Sequence, residues 1–99
     1  MIWNIHPGEI LREDYMKPLA LSSRKLAGLL GVPAPRINDI VLERRGISAE
    51  TAIKLAHHFN TTPKFWMNMQ VSYELRRAEI QLELGSQPAA PGNGLGSGT

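Results

Sequence analysis

The 99-residue sequence contains no cysteine. That absence excludes a disulfide scaffold and a thiolate zinc site. It suits a reducing compartment, so a cytoplasmic protein is expected. No apolar run reaches the roughly 18 residues that a membrane span requires, so no membrane association is expected. The opening MIWNIHPGE lacks a basic region leading into an apolar block, and no secretory signal is expected there. Charge of one sign is scarce: the net value of +2 is too small by itself to argue for nucleic acid. A glycine-rich phosphate loop is missing, and no Ser, His and Asp set stands in a recognisable context. His57 and His58 are adjacent, which sends them in different directions on a helix, and His6 is far away in sequence, so no metal pair forms. No catalytic residue, metal or cofactor is expected, and the chain is read as a protein that is not an enzyme.

What is present suits a small globular domain. Hydrophobic residues make up 42% of the chain, too many for a disordered protein. Its length allows one domain with a limited core. Apolar residues recur at helical spacing in five segments, and no strand pattern or internal repeat stands out, so the fold class is all-α. The first helix is opened by Pro7, which a first turn tolerates, carries Ile10, Leu11 and Tyr15 on one side, and is stopped by Pro18. A serine at Ser22 or Ser23 caps the second, which buries Leu26, Ala27 and Leu30 and ends at Gly31. The third begins near Pro33 to Pro35 and buries Ile37, Ile40 and Val41, with Gly46 closing the connection that follows. Ser48 caps the fourth, whose apolar side is Ala52, Leu55, Ala56 and Phe59.

The fifth helix runs from about Pro63 to Leu84, roughly 33 Å at about 1.5 Å per residue. It carries two apolar stripes. One is Phe65 and Trp66, Met69, Tyr73, Ile80 and Leu84; the other is Met67, Val71, Leu75, Ala78 and Leu82. A helix that is apolar on two sides is buried on two sides. A second copy of the chain is the simplest supplier of the second surface, the alternative being a frayed, exposed end. Residues 1–84 therefore read as one domain that includes a dimerisation helix. The remainder, residues 85–99 (GSQPAAPGNGLGSGT), is too rich in Gly, Pro and Ser to offset its own ordering and reads as a disordered tail.

The stretch LAGLLGVPAPRINDIV, residues 26 to 41, is one amphipathic pattern broken at its middle and restarted. Two short helices joined by a tight turn make a helix-turn-helix. Ala27 is small enough for the first helix to cross the second, and Gly31 supplies the positive φ of the turn. Ile37 and Ile40 anchor the second helix. Charge is concentrated here: between Ser22 and Gly46 lie five basic residues, Arg24, Lys25, Arg36, Arg44 and Arg45, against Asp39 and Glu43. Arg36 and Asn38 point away from Ile37 and Ile40 in this reading. Arginine bonds guanine and asparagine bonds adenine in bidentate fashion in the major groove. Ser23 and Arg24 face a phosphate, and Arg44 and Arg45 contact backbone phosphates, which gives affinity without sequence choice. Any one of these arginines alone is better explained as a solvated surface charge; that explanation weakens when five basic residues cluster on one helix pair.

The residues HPGEILREDYMKPLALSSRKLAGLLGVPAPRINDIV and RRGISAETAIKLAHHFNTTPKFWMNMQVSYEL resemble the HigA antitoxins, helix-turn-helix proteins of the phage-repressor-like (Xre) class. The resemblance covers about residues 6 to 77. It implies a five-helix, lambda-repressor-like domain that dimerises, represses its own operon on double-stranded operator DNA, and binds a small ribosome-dependent mRNA-cleaving toxin of the HigB type. By position, the DNA-reading helix is Pro33 to Val41, with Ala34, Pro35, Arg36, Asn38 and Asp39 facing the groove. Trp66, Met69 and Tyr73 then look like core and dimer residues, and Ile80 continues the dimer stripe. Pro33 and Pro35 depart from the family pattern and remove polar contacts and a good N-cap. Leu42 and Glu43 replace a common Asn-Gly pair, so the third helix is expected to run on toward Gly46. Trp3, outside the common core, packs on the domain or touches the toxin. A stand-alone repressor without a toxin is the alternative, and a protein-binding module that has lost DNA binding is a third reading.

Overall fold

His6 sets the entry into the first helix. Its backbone is extended, and its Nδ1 accepts the Gly8 N–H at 2.8 Å, so an imidazole takes the capping role usual for Ser or Asp. The computed structural model describes residues 4–85, and among these it has five α-helices and no strand. They are α1 (Pro7–Ile10), α2 (Ser23–Leu30), α3 (Ala34–Val41), α4 (Ala49–Phe59) and α5 (Pro63–Gly85). Trp3 and the tail beyond Gly85 lie outside the described residues.

α1 continues into a π-helical turn, Leu11–Met16, and a 3-10 turn, Lys17–Leu19. Pro18 therefore does not stop the helical run, as its sequence position suggests; it sits inside the 3-10 turn. The run ends two residues later at Ala20, whose left-handed φ of 54° lets Leu21 N–H reach the Met16 carbonyl at 2.9 Å. Three further helix ends close in the same way, with a left-handed residue and an N–H reaching back five residues. At α2 these are Gly31 (φ 73°) and Val32 N–H to Ala27 O; at α4, Asn60 (φ 57°) and Thr61 N–H to Ala56 O. At α3 they are Glu43 (φ 63°) and Arg44 N–H to Asp39 O at 2.8 Å. The expected continuation of α3 toward Gly46 does not occur, because Glu43 takes the left-handed position itself.

Serines open α2 and α4 as expected, and a threonine opens α5 in the same way. Ser22 Oγ accepts Lys25 N–H at 3.0 Å, Ser48 Oγ accepts Thr51 N–H at 3.3 Å, and Thr62 Oγ1 accepts Phe65 N–H at 3.1 Å. α3 begins after Pro33 with no side-chain cap, as the loss of a good N-cap predicts. The core gathers Leu11, Leu26, Ile37, Ile40, Leu55 and Trp66, all fully buried. Each such side chain contributes about 1.5–3 kcal/mol relative to exposure.

Trp66 corrects one expectation. It is 0% exposed within a single chain and its Nε1 donates to Thr61 Oγ1 at 2.8 Å. It is a core residue with no surface left for a second copy. Met69, Tyr73 and Ile80 are half-buried, and Val71 and Leu75 on the other stripe are exposed, Leu75 by 61%. Ile5, Ile10, Phe65, Met69 and Tyr73 line an apolar groove between the N-terminal segment, α1 and α5. Asn4 Nδ2 pins that segment by donating to the Tyr73 carbonyl at 3.0 Å.

Candidate nucleic-acid interface

α3 is held in place by elements distant in sequence. At its C-terminal end the Ile40 carbonyl lies against Gly8, where a Cβ would come within 1.9 Å of the oxygen. Arg12 Nη1 donates to the Val41 carbonyl and lies 3.7 Å from the Glu43 carboxylate. The connection after α3 is fixed by Gln70 of α5, whose buried side chain accepts Ile47 N–H at 2.8 Å and donates to Glu74 at 2.9 Å. Gly46 leaves room for that amide: a Cβ there would meet it at 2.6 Å. α2 crosses behind, its Leu26, Ala27 and Leu30 buried, and Gly31 turns the chain between the two helices.

With its buried side so fixed, α3 shows its other residues to solvent. Ser23, Arg24, Ala34, Pro35, Asn38, Asp39 and Arg44 line one shallow depression between the start of α2 and the outer side of α3. Seven residues singled out in the sequence thus meet on one surface. Arg36 and Arg45 do not join them. They line the neighbouring depression with Ser48, Glu50, Gln70 and Glu74. Arg36 and Asn38 were expected to share the outward side of α3. Instead Arg36 lies one turn before Ile40, at the edge of the buried side, and leans toward α4; Asn38 is on the open side.

The charges of this surface are partly paired. Arg44 Nη2 is 3.1 Å from Asp39 Oδ1, and Arg36 Nη1 is 3.3 Å from Glu50 Oε1. Glu50 Oε2 lies 3.6 Å from Lys54 Nζ. Among the described residues, Arg24 and Arg45 have no ion-pair partner. Both are exposed and free to meet phosphates.

Three participants went unread in the sequence: Arg12, Glu50 and Gln70. Glu50 stands in the first turn of α4, where the helix dipole alone accounts for an acidic residue. Its contact with Arg36 spans 14 residues, and that of Gln70 with Ile47 spans 23. No periodicity carries such pairings. His57 and His58 are exposed on α4 beside Leu29 and Ile53. Among the described residues no group of three His, Cys, Asp or Glu could hold a metal, and no helix is long and apolar enough to cross a membrane.

Known proteins share this fold. The Helix-turn-helix family matches residues 13–66. Virulence-associated protein I of Dichelobacter nodosus is 53% identical over 75 residues, which cover 76% of this chain and 69% of that protein. The solved structure of Pseudomonas aeruginosa antitoxin HigA with the higBA promoter is 44% identical, with a TM-score of 0.78 over 89% of this chain and 100% of that one. Antitoxin GraA in complex with its operator is 43% identical, with a TM-score of 0.78 over 91% of this chain and 94% of that one.

Proposed function

This chain belongs to the HigA family of helix-turn-helix proteins, and on that footing we propose that it is the antitoxin of a toxin–antitoxin pair. In this reading it is a cytoplasmic homodimer that binds operator DNA through α3 and represses the operon encoding it. It also neutralises a toxin of the HigB mRNA-cleaving type. The observation that carries the DNA-binding half is the surface shared by Ser23, Arg24, Pro35, Asn38 and Arg44, with α3 as its spine. A helix backed by a second helix and exposing such side chains fits the major groove. Arg24, Arg44 and Arg45 supply phosphate contacts that set register, and Asn38 and Arg36 supply base contacts. The P. aeruginosa and GraA relatives, solved with a promoter and an operator, support this half.

The dimer rests on α5. Met69, Tyr73 and Ile80 are only half-buried, so a second copy packed along this stripe would remove their remaining apolar surface from water. Toxin neutralisation rests on family membership alone.

The test is a titration of the purified protein against its own upstream DNA and a scrambled duplex at two salt concentrations. Tight binding to its own DNA only, at two chains per site, is expected. Affinity should fall about 10³-fold or more between 50 and 200 mM salt if some six phosphates are contacted. Equal weak binding to both duplexes would overturn the repressor half and leave a protein whose work is holding a partner. Co-purification with the product of an adjacent gene separates an antitoxin from a repressor that acts alone.

A further inference from the structure

Arg36 is the base-reading candidate whose position the sequence misplaces, and its surroundings assign a role to Glu50. The Arg36 side chain crosses the seam from α3 to α4 and is 29% exposed, while that of Glu50 is 62% exposed. The contact is one-sided. Only Nη1 engages the carboxylate, at 3.3 Å, and Nε and Nη2 have no partner among the described residues. Glu50 is not needed to close the start of α4, because Ser48 already accepts the Thr51 N–H there. Its second oxygen is steadied by Lys54 at 3.6 Å, the next turn of the same helix.

We propose that Glu50 is a positioning residue for DNA recognition: it holds Arg36 by one nitrogen and so presents the free Nε–Nη2 edge of the guanidinium to a guanine. This rests on the operator-binding reading above. The physical ground is the planarity of the guanidinium. A side chain with several rotamers loses much of its freedom on pairing with a base, and one already held in plane loses less. A guanine O6 and N7 pair matches the remaining two-donor edge. A carboxylate beside that edge also repels phosphates, so it disfavours misplaced complexes in which Arg36 would meet backbone rather than base. Both effects raise discrimination between sequences; neither adds affinity for DNA in general.

The experiment is the titration on own and scrambled duplexes, applied to Glu50→Gln, Arg36→Ala and the double variant. Glu50→Gln should lower the ratio of own to scrambled affinity about threefold, the scale on which one exposed ion pair can hold a side chain in place. The salt dependence should stay that of the parent, because no phosphate contact is lost. Thermal stability should hold, since an exposed ion pair contributes little. In the Arg36→Ala background the same substitution should have no effect on the ratio. The proposal is overturned if Glu50→Gln raises affinity equally on both duplexes, which would make Glu50 a mere repulsive charge. It is overturned equally if the loss persists without Arg36. Failure of the parent protein to distinguish the duplexes would instead bring down the operator reading, and this proposal with it.

Discussion

Gly8 and Glu43 show how single residues set the position of the reading helix. Gly8 lets the start of α1 come against the Ile40 carbonyl, and the obstacle to a larger residue is backbone, which cannot step aside. Gly8→Ala should cost about 3 kcal/mol, the upper part of the range for overpacking. It should also weaken DNA binding, since α3 must move; a urea midpoint read beside the DNA titration checks both. Glu43 works in the opposite sense. It occupies a left-handed conformation (φ 63°) that costs a side chain about 1 kcal/mol and costs glycine little. Its ion pair with Arg12, at 3.7 Å and partly exposed, offsets only a fraction of that. Glu43→Gly should therefore raise the melting temperature by a few degrees, and a lower value would show that the pair with Arg12 outweighs the backbone term. Neither role was legible in sequence. The replacement of a common Asn-Gly pair at Leu42 and Glu43 suggested a longer helix, because local pattern does not reveal that Arg12, 31 positions earlier, braces the end.

Among the elements, those closed by local chemistry were the ones the sequence disclosed. Serines before α2 and α4 and Gly31 after α2 act within a few residues of themselves, and each stands where expected. The first helix was less legible. A proline normally ends a helix, but a π-helical turn ahead of Pro18 followed by a 3-10 turn accommodates it. α5 was legible in extent but not in assignment. The first stripe meets the rest of the chain while Val71 and Leu75 of the second are exposed, and Trp66 belongs wholly to the core of one chain; its aromatic character alone did not distinguish core from partner surface. Gln70, polar within that helix, joins α5 to the connection after α3. Gln70→Leu keeps the volume but leaves the buried Ile47 N–H unbonded, which should cost about 1–3 kcal/mol. Hydrogen exchange of the Ile47 amide should speed up more than that of the core of α4; equal rates would mean that another group satisfies it.

At the scale of the molecule, His6 ties three elements together. It caps α1, lies edge-on to Tyr73 of α5 with ring centroids 4.7 Å apart, and sits near the charges of Glu43 after α3 and Arg77 of α5. Burial pushes its pKa below the ordinary 6.5, against the pull of Glu43 and with the help of Arg77. The folded state therefore favours the neutral ring, whose Nδ1 must stay unprotonated to accept from Gly8. Such a group contributes stability fully above the unfolded pKa, and that contribution is lost as pH falls through 6.5 toward the lower folded value. The urea midpoint should drop between pH 7.5 and 5.5 by more in the parent protein than in His6→Asn, which keeps a capping oxygen but does not titrate. Parallel curves would show that His6 is not the source. The Glu13 carboxyl, lowered below 4.5 by hydrogen bonds from Arg12 and Lys17, acts only at more acid pH and does not obscure this window.

The sequence by itself determined the all-α class, the helix-turn-helix, most helix ends, and the cluster of basic and amide side chains around α3. These follow from periodicity, caps and turns, which operate over a few residues and leave a local trace. Tertiary structure alone decided that Arg36 faces Glu50 rather than standing beside Asn38. It decided too that Arg12, Gly8 and Gln70 brace the reading helix, and that Trp66 is core. Those outcomes depend on which helices meet and at what depth. The meeting is set by burial summed over the whole core, and no short stretch of sequence carries that sum.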